Sequence, residues 1–198
     1  VGITEVQGEF EAGALVGLWQ RRNLATLGYR TDQEHDLPQP GPRCWVVWVS
    51  TLALGSLTAT AVISNNPLAY LPLLPLTLAG PWLAAVDFDM LRLPNRVLVP
   101  TAILTLLALA GLAAATQDWS TVVLPAVAAC LTGTVLAGVH VASKGGIGFG
   151  DVKLATAMSL AVGPLGVGAV WLALLAGSAA ALIWVKATRR DGPIPYGP

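Results

Sequence analysis

The chain has 198 residues, of which 55% are hydrophobic and only 11% charged, with no net charge and a mean hydropathy of +0.67. A soluble domain would carry about a quarter charged residues, and here the deficit is concentrated in long uncharged runs, so an integral membrane protein is expected. No basic patch is dense enough to point to nucleic acid. Cys44 and Cys130 form no Cys-x-x-Cys pair, which argues against a disulfide framework or a zinc ribbon; both read as buried small side chains.

Residues 1–11 are polar and acidic, with neither a basic n-region nor an Ala-x-Ala site, unlike a secretory signal peptide. The apolar piece 12–19 is too short for a crossing and reads as part of a helix. Residues 1–43 are therefore expected to form a partial N-terminal helix and a cytoplasmic loop, ahead of a membrane-embedded domain over 44–198. The uncharged run 44–86 is about twice the 20 residues a bilayer crossing needs. It is broken by Ser64-Asn65-Asn66-Pro67, a turn signal, which predicts spans at about 45–63 and 67–86. A third follows at 97–116. The polar break Gln117-Asp118-Trp119-Ser120 leads to a fourth at about 121–142, in which His140 is given a structural role. The last uncharged stretch, 154–185, is interrupted by Gly163-Pro164-Leu165-Gly166.

Basic residues set the orientation. Arg21, Arg22, Arg30 and Arg43 precede the first span, Arg92 and Arg96 follow the second, and Lys144 and Lys153 follow the fourth. Lys186, Arg189 and Arg190 come after the last apolar run, and the 64–67 and 117–120 turns hold no Lys or Arg. Positive loops favour the cytoplasmic side. Keeping the final cluster there requires two passes between 151 and 186, so the Gly163-Pro164 break should be a turn. The expected fold is all-α, a polytopic transmembrane helical bundle of about six membrane passes plus the partial N-terminal helix.

This topology places Asp87 at the end of an arriving helix and Asp151 at the start of a departing one, in the same interfacial layer. Acidic side chains near hydrocarbon are expensive and mark function by default. Two carboxylates holding one proton between them can hydrolyse a peptide: one activates water while the other polarises the carbonyl. Blander readings stand beside this one. Asp151 suits a helix N-terminus at a flexible turn, Asp87 suits an interfacial helix end, and Asp89 competes with Asp87. Residues two apart on a helix point in different directions, so only one of the latter two fits a pair. Gly148 and Gly150 lack a Cβ and can take φ > 0, leaving room for an extended substrate. Arg92 and Arg96 read as interfacial anchors, as does Lys153, which could also bias the ionisation of Asp151.

Asp87, six intervening residues and Pro94-Asn95 resemble the first-aspartate motif of bacterial type IV prepilin peptidases. Gly148-Phe149-Gly150-Asp151-Val152-Lys153-Leu154 resembles their second motif, and Ile194-Pro195-Tyr196-Gly197-Pro198 is similar to their Ile-Pro-Phe-Gly-Pro segment. The resemblance spans roughly 45–198 and implies a GxGD-type intramembrane aspartic peptidase of the bacterial cytoplasmic (inner) membrane. Such an enzyme removes the short positive leader of pilin-like precursors after a glycine, at the cytoplasmic face. By motif position the catalytic pair would be Asp87 and Asp151, with Gly148, Gly150, Lys153, Pro94 and Asn95 in support. Pro94-Asn95 would stop the first helix. Presenilin-type proteases share G-x-G-D but carry a tyrosine before the first aspartate, where this chain has Val86.

Larger members add an N-methyltransferase part with paired Cys-x-x-Cys motifs, so cleavage without methylation is expected here. Members also continue into a last helix that this sequence does not show. No metal or organic cofactor is implied. The expected partners are the precursor protein and the lipid bilayer, and oligomeric state is not addressed. Two rival functions remain: a catalytically weak membrane scaffold of a pilus or secretion system, and a small ion or proton transporter with its carboxylates nearer the midplane.

Overall fold

The computed structural model describes residues 3–31, 34, 40–90, 92–144 and 146–187. Among these, seven α-helices follow one another without a strand: α1 (Ile3–Ala25), α2 (Cys44–Ile63), α3 (Leu74–Met90), α4 (Asn95–Thr116), α5 (Ser120–Ala142), α6 (Phe149–Val162) and α7 (Val167–Ala187). The all-helical bundle expected from the sequence is therefore what forms. Among the described residues, four stretches are long and apolar enough to cross a membrane: Cys44–Ile63, Pro67–Met90, Asn95–Thr116 and Ser120–Ala142. With 14 residues, α6 rises about 21 Å, short of a hydrocarbon core of about 30 Å. Helix α7 has 21 residues, and its sequence is apolar from Val167 to Val185.

The outer surface is apolar, as a lipid-facing surface must be. Trp48, Leu52, Leu107, Leu131 and Leu172 are all exposed. Cys44 and Cys130 belong to that surface too. The expectation that both are buried was wrong: in a bilayer, a small apolar thiol loses nothing by facing outward.

The N-terminal helix is longer than its apolar piece suggested, spanning 23 residues through Glu5, Gln7, Glu9 and Glu11. What holds it is a close approach to α2. A Cβ built on Gly17 would lie 2.6 Å from the Val47 Cα, and one on Gly13 would lie 2.8 Å from the Thr51 Cα. Glycines four apart on one face let two backbones touch, which is how helices associate where lipid removes the hydrophobic drive. One turn on, Gln20 is only 2% exposed. It accepts a bond from the Ser50 hydroxyl (3.0 Å) and donates its amide to the Leu78 carbonyl. Leu78 sits three residues before Pro81, inside α3. A proline disturbs the helix carbonyls behind it, and a neighbouring helix that supplies a donor makes that tolerable in a membrane.

The turns match the sequence punctuation. Asn65 takes a positive φ of 53° after α2, and Gln117 one of 56° after α4. Pro67–Leu73 is a 3₁₀ segment leading into α3. At the Gly163-Pro164 break the chain makes a short 3₁₀ turn over Gly163–Leu165 and then passes Gly166 at φ 102°. Apolar packing is spread over three clusters. Leu24, Val46, Ala85 and Val86 join α1, α2 and α3. Leu83, Leu93, Leu98 and Ala157 join α3, α4 and α6. Leu109, Ala129 and Leu160 join α4, α5 and α6. Helix α3 thus lies between the N-terminal helices on one side and α6 on the other.

Candidate active site

The expected second span ended at residue 86. Instead α3 continues to Met90, so Asp87 and Asp89 both sit in its last turn. Successive helical residues are about 100° apart, and two positions apart is close to the opposite face. The two carboxylates accordingly meet different worlds.

Asp89 faces the N-terminal helices. Its Oδ1 accepts from Arg30 Nη2 at 2.9 Å, and its Oδ2 from Arg30 Nε at 3.2 Å and from the Tyr29 hydroxyl. Arg43 Nη2 lies 3.2 Å from the same Oδ2. Asp89 is thereby committed to two guanidinium groups and a phenol. Burial, and next the hydrogen bond to Asp89, push the Tyr29 phenol above its ordinary value of 10.0, so it remains a donor.

Asp87 faces the other way. It is half-buried and lines a cleft of about 290 Å³ whose other walls are Leu76, Gly80, Leu83, Ala84 and Phe88 of its own helix, Leu93, and Leu154 and Met158 of α6. Among the described residues it is the one charged member of that lining. Asp151 is the third residue of α6 and exposed, in the first turn, where the helix dipole favours a negative charge. Among the described residues, neither the Asp87 nor the Asp151 carboxylate has a hydrogen-bond or ion-pair partner. Two carboxylates that meet can share a proton and bind a water between them; here one lies in an apolar cleft and the other in the first turn of the helix that walls it.

The supporting residues need some correction. Gly148 is the N-cap of α6 at φ −61° and ψ 138°, and Gly150 is helical; neither takes the positive φ considered from sequence. Gly148 provides space instead: a Cβ on it would lie 3.2 Å from the Asp151 Oδ2, whereas one on Gly150 would make only ordinary contact with the Leu93 side chain at 3.5 Å. Pro94-Asn95 does not stop α3, which ends at Met90 before it. Pro94 is the N-cap of α4 at φ −71° and ψ 120°, and Asn95 is the first helical residue. Nor does Lys153 pair with Asp151. Its ammonium donates to the Asn95 Oδ1 at 3.0 Å and lies 4.8 Å from the Phe149 ring centroid. This bond joins the two aspartate motifs directly.

His140 has the structural role foreseen for it. Its Nδ1 bonds the Ile147 carbonyl at 2.6 Å and its ring packs on Phe149, tying the end of α5 to the turn before Asp151. Sequence reading missed the Arg30 and Arg43 pairing to Asp89, since both had been read only as topogenic charges. The Ile194–Pro198 segment, Gly145, Arg189 and Arg190 lie outside the described residues, as does the Lys186 side chain. Among the described residues, no group of three or more His, Cys, Asp or Glu side chains could hold a metal.

The basic loops also converge. Arg92 bonds Glu34 at 2.6 Å and the Tyr29 carbonyl at 3.4 Å, so the segments around 30, 43, 92 and 153 share one end of the bundle with both motif aspartates. The model of the type IV leader peptidase family matches residues 73–185, more than half of the chain and including both motifs. The chain belongs to the type IV leader peptidase family. This leader peptidase relative is therefore a leader-peptidase-like protease, and its four long apolar helices make it a membrane protein. No curated protein and no solved structure matches it.

Proposed function

We propose that this protein is an aspartic endopeptidase of the bacterial inner membrane that removes the leader of pilin-like precursors at the cytoplasmic face, with Asp87 and Asp151 as its catalytic pair. The observation that carries this reading is the contrast on α3: Asp89 is neutralised by two arginines, while Asp87 opens on an apolar cleft walled by α6, the helix whose first turn carries Asp151. The pair would hold one proton. The ionised carboxylate takes a proton from water as the water oxygen bonds to the scissile carbonyl carbon, and the protonated partner donates to the carbonyl oxygen. Collapse of the tetrahedral diol breaks the C–N bond as the amine takes the proton of one carboxyl and a diol hydroxyl returns its proton to the other carboxylate, leaving a carboxylic acid product and the pair again with one proton.

The apolar walls of the cleft suit an uncharged, extended substrate segment, leaving the positive leader outside among the loops. Gly148 leaves the Asp151 carboxylate free to turn, Gly150 lies against Leu93, and the Lys153–Asn95 bond fixes one motif against the other. The reading concerns cleavage and assigns a cut after glycine. Its test is processing of a co-expressed pilin precursor by Asp87→Asn and Asp151→Asn variants that accumulate normally in membranes. General acid–base groups contribute about 10²–10⁴-fold, so each variant should lose cleavage by at least the lower figure. Full processing by either one defeats the assignment.

A further inference from the structure

The side of α3 facing away from the cleft is secured by residues that lie outside the stretch shared with the family, which begins at residue 73. We infer that the Arg30–Arg43–Tyr29 cluster is a positioning device: by gripping Asp89 it fixes the rotation of α3 and so aims Asp87 at α6. The inference rests on the catalytic reading of Asp87 and adds to it a role for the segment connecting α1 to α2.

The geometry is over-determined. Arg30 is almost wholly buried, its side chain 1% exposed, and it binds both oxygens of Asp89. Arg43 bonds the Tyr29 hydroxyl and the Leu24 carbonyl at the end of α1 (3.1 Å) while reaching Asp89. Its guanidinium lies 5.3 Å from the Tyr29 ring centroid. The Tyr29 ring meets Trp82 edge-on at 6.1 Å, and the Trp82 indole donates to Asn23 at 3.1 Å. Residues 82, 85, 86 and 89 follow the i, i+3, i+4, i+7 spacing of one helix face. Trp82 and Asp89 are held by polar bonds to the α1 end, and Ala85 and Val86 pack on Leu24 and Val46. Residues 80, 83, 84 and 87 repeat the spacing on the cleft face. A helix pinned at 82 and 89 has no freedom to turn, so the direction of Asp87 is set from behind. A bidentate guanidinium–carboxylate pair supplies direction as well as attraction, which a patch of apolar contacts alone does not.

The test uses the full chain in membranes, with Cys44 and Cys130 replaced by Ala and with cysteines introduced as Ala84→Cys on the cleft face of α3 and Leu154→Cys on α6. Cross-linking between them reads the rotation of α3 whether or not the protein cleaves anything. Asp89→Asn should lower the cross-link yield several-fold. In the chain without the added cysteines it should lower kcat by about 10-fold, the scale of a small misplacement of a reacting group, with KM little changed. Asp89→Glu should restore most of both. Tyr29→Phe, which removes only a bridging hydroxyl, should give a smaller loss in the same direction and covers the case in which Asp89→Asn does not fold. Folded Asp89→Asn protein with parental cross-linking and kcat would overturn the inference and reduce the cluster to a stability feature. Retained cleavage by Asp87→Asn would instead sink the catalytic reading, while the cross-link comparison would still test the anchor.

Discussion

The two candidate catalytic carboxylates ride on halves of the molecule that are fastened in different ways. Asp87 belongs to the α1–α2–α3 side, where Gly13 and Gly17 seat α1 on α2 but buried polar groups fasten α3: Arg30 and Arg43 on Asp89, Gln20 between Ser50 and Leu78. Asp151 belongs to the α5–α6 side, where small residues and apolar contact do it. There a Cβ on Gly163 would lie 2.6 Å from the Pro125 Cα, and Gly133 faces Thr156. The polar bonds of α6 toward the site are few: Ser159 to Thr132 deep in the bundle and Lys153 to Asn95 at the end. Charge pairs fix direction but fail abruptly when one partner is lost. Small-residue contacts set distance and fail by degrees. The site sits where an aimed element meets a spaced one.

The largest effect on this contrast is expected from removing the charge lock. Asp89→Ala leaves Arg30 and Arg43 buried without their anion, a change that costs about 3–5 kcal/mol when a buried pair is broken. Thermal unfolding of the purified variant in a bilayer mimic measures it; a loss near zero would show that the cluster is well hydrated and no lock at all. On the other side, Gly163→Leu forces a side chain into Pro125 and should cost about 1–3 kcal/mol by overpacking. It should also shift α6, so cleavage falls while the Arg30–Asp89 pair is untouched. If stability were unchanged, α6 would not be held at its far end as described. Smaller still is Gly148→Ala. Its methyl group would crowd the Asp151 carboxylate, with a loss of cleavage of about 10-fold and unfolding unaltered. Loss of both together would make Gly148 a folding residue instead.

The smallest effect lies at the rim. Glu34 is held below its ordinary 4.5, first by its hydrogen bonds from Thr31 and then by Arg92. A depressed carboxylate stabilises the fold above its ordinary value, and that contribution disappears as pH falls through the lowered one. Glu34→Gln should therefore lower the unfolding temperature slightly at neutral pH, and the difference from the parent should close in acid. A difference independent of pH would show that the charge of Glu34 plays no part.

Much of the architecture was legible because its signals are local. Asn65 and Gln117 take left-handed turns where polar residues broke the hydropathy, and the Gly163-Pro164 break is the turn expected of it. The end of α3 was misjudged because Asp87 was taken to close the run, whereas an acidic residue at an interface need not end a helix. Asp87, Asp151 and the glycines were singled out by motif, while Asp89 could be separated from Asp87 by sequence only through resemblance. Which arginines face it depends on where the fold brings residues 30 and 43, and no spacing along the chain encodes that. The Gly13-Ala14-Leu15-Val16-Gly17 pattern was a readable signal for the α1–α2 contact. It was passed over because the apolar piece around it looked too short to matter.

The central claim is that Asp87 and Asp151 meet. It is tested most directly by cross-linking cysteines placed at 87 and 151 in membranes, in a chain with Cys44 and Cys130 replaced, beside a control pair at Gly133 and Thr156, which already touch. Efficient linkage of both pairs is the predicted result. Linkage of the control pair with none between 87 and 151 would contradict the account.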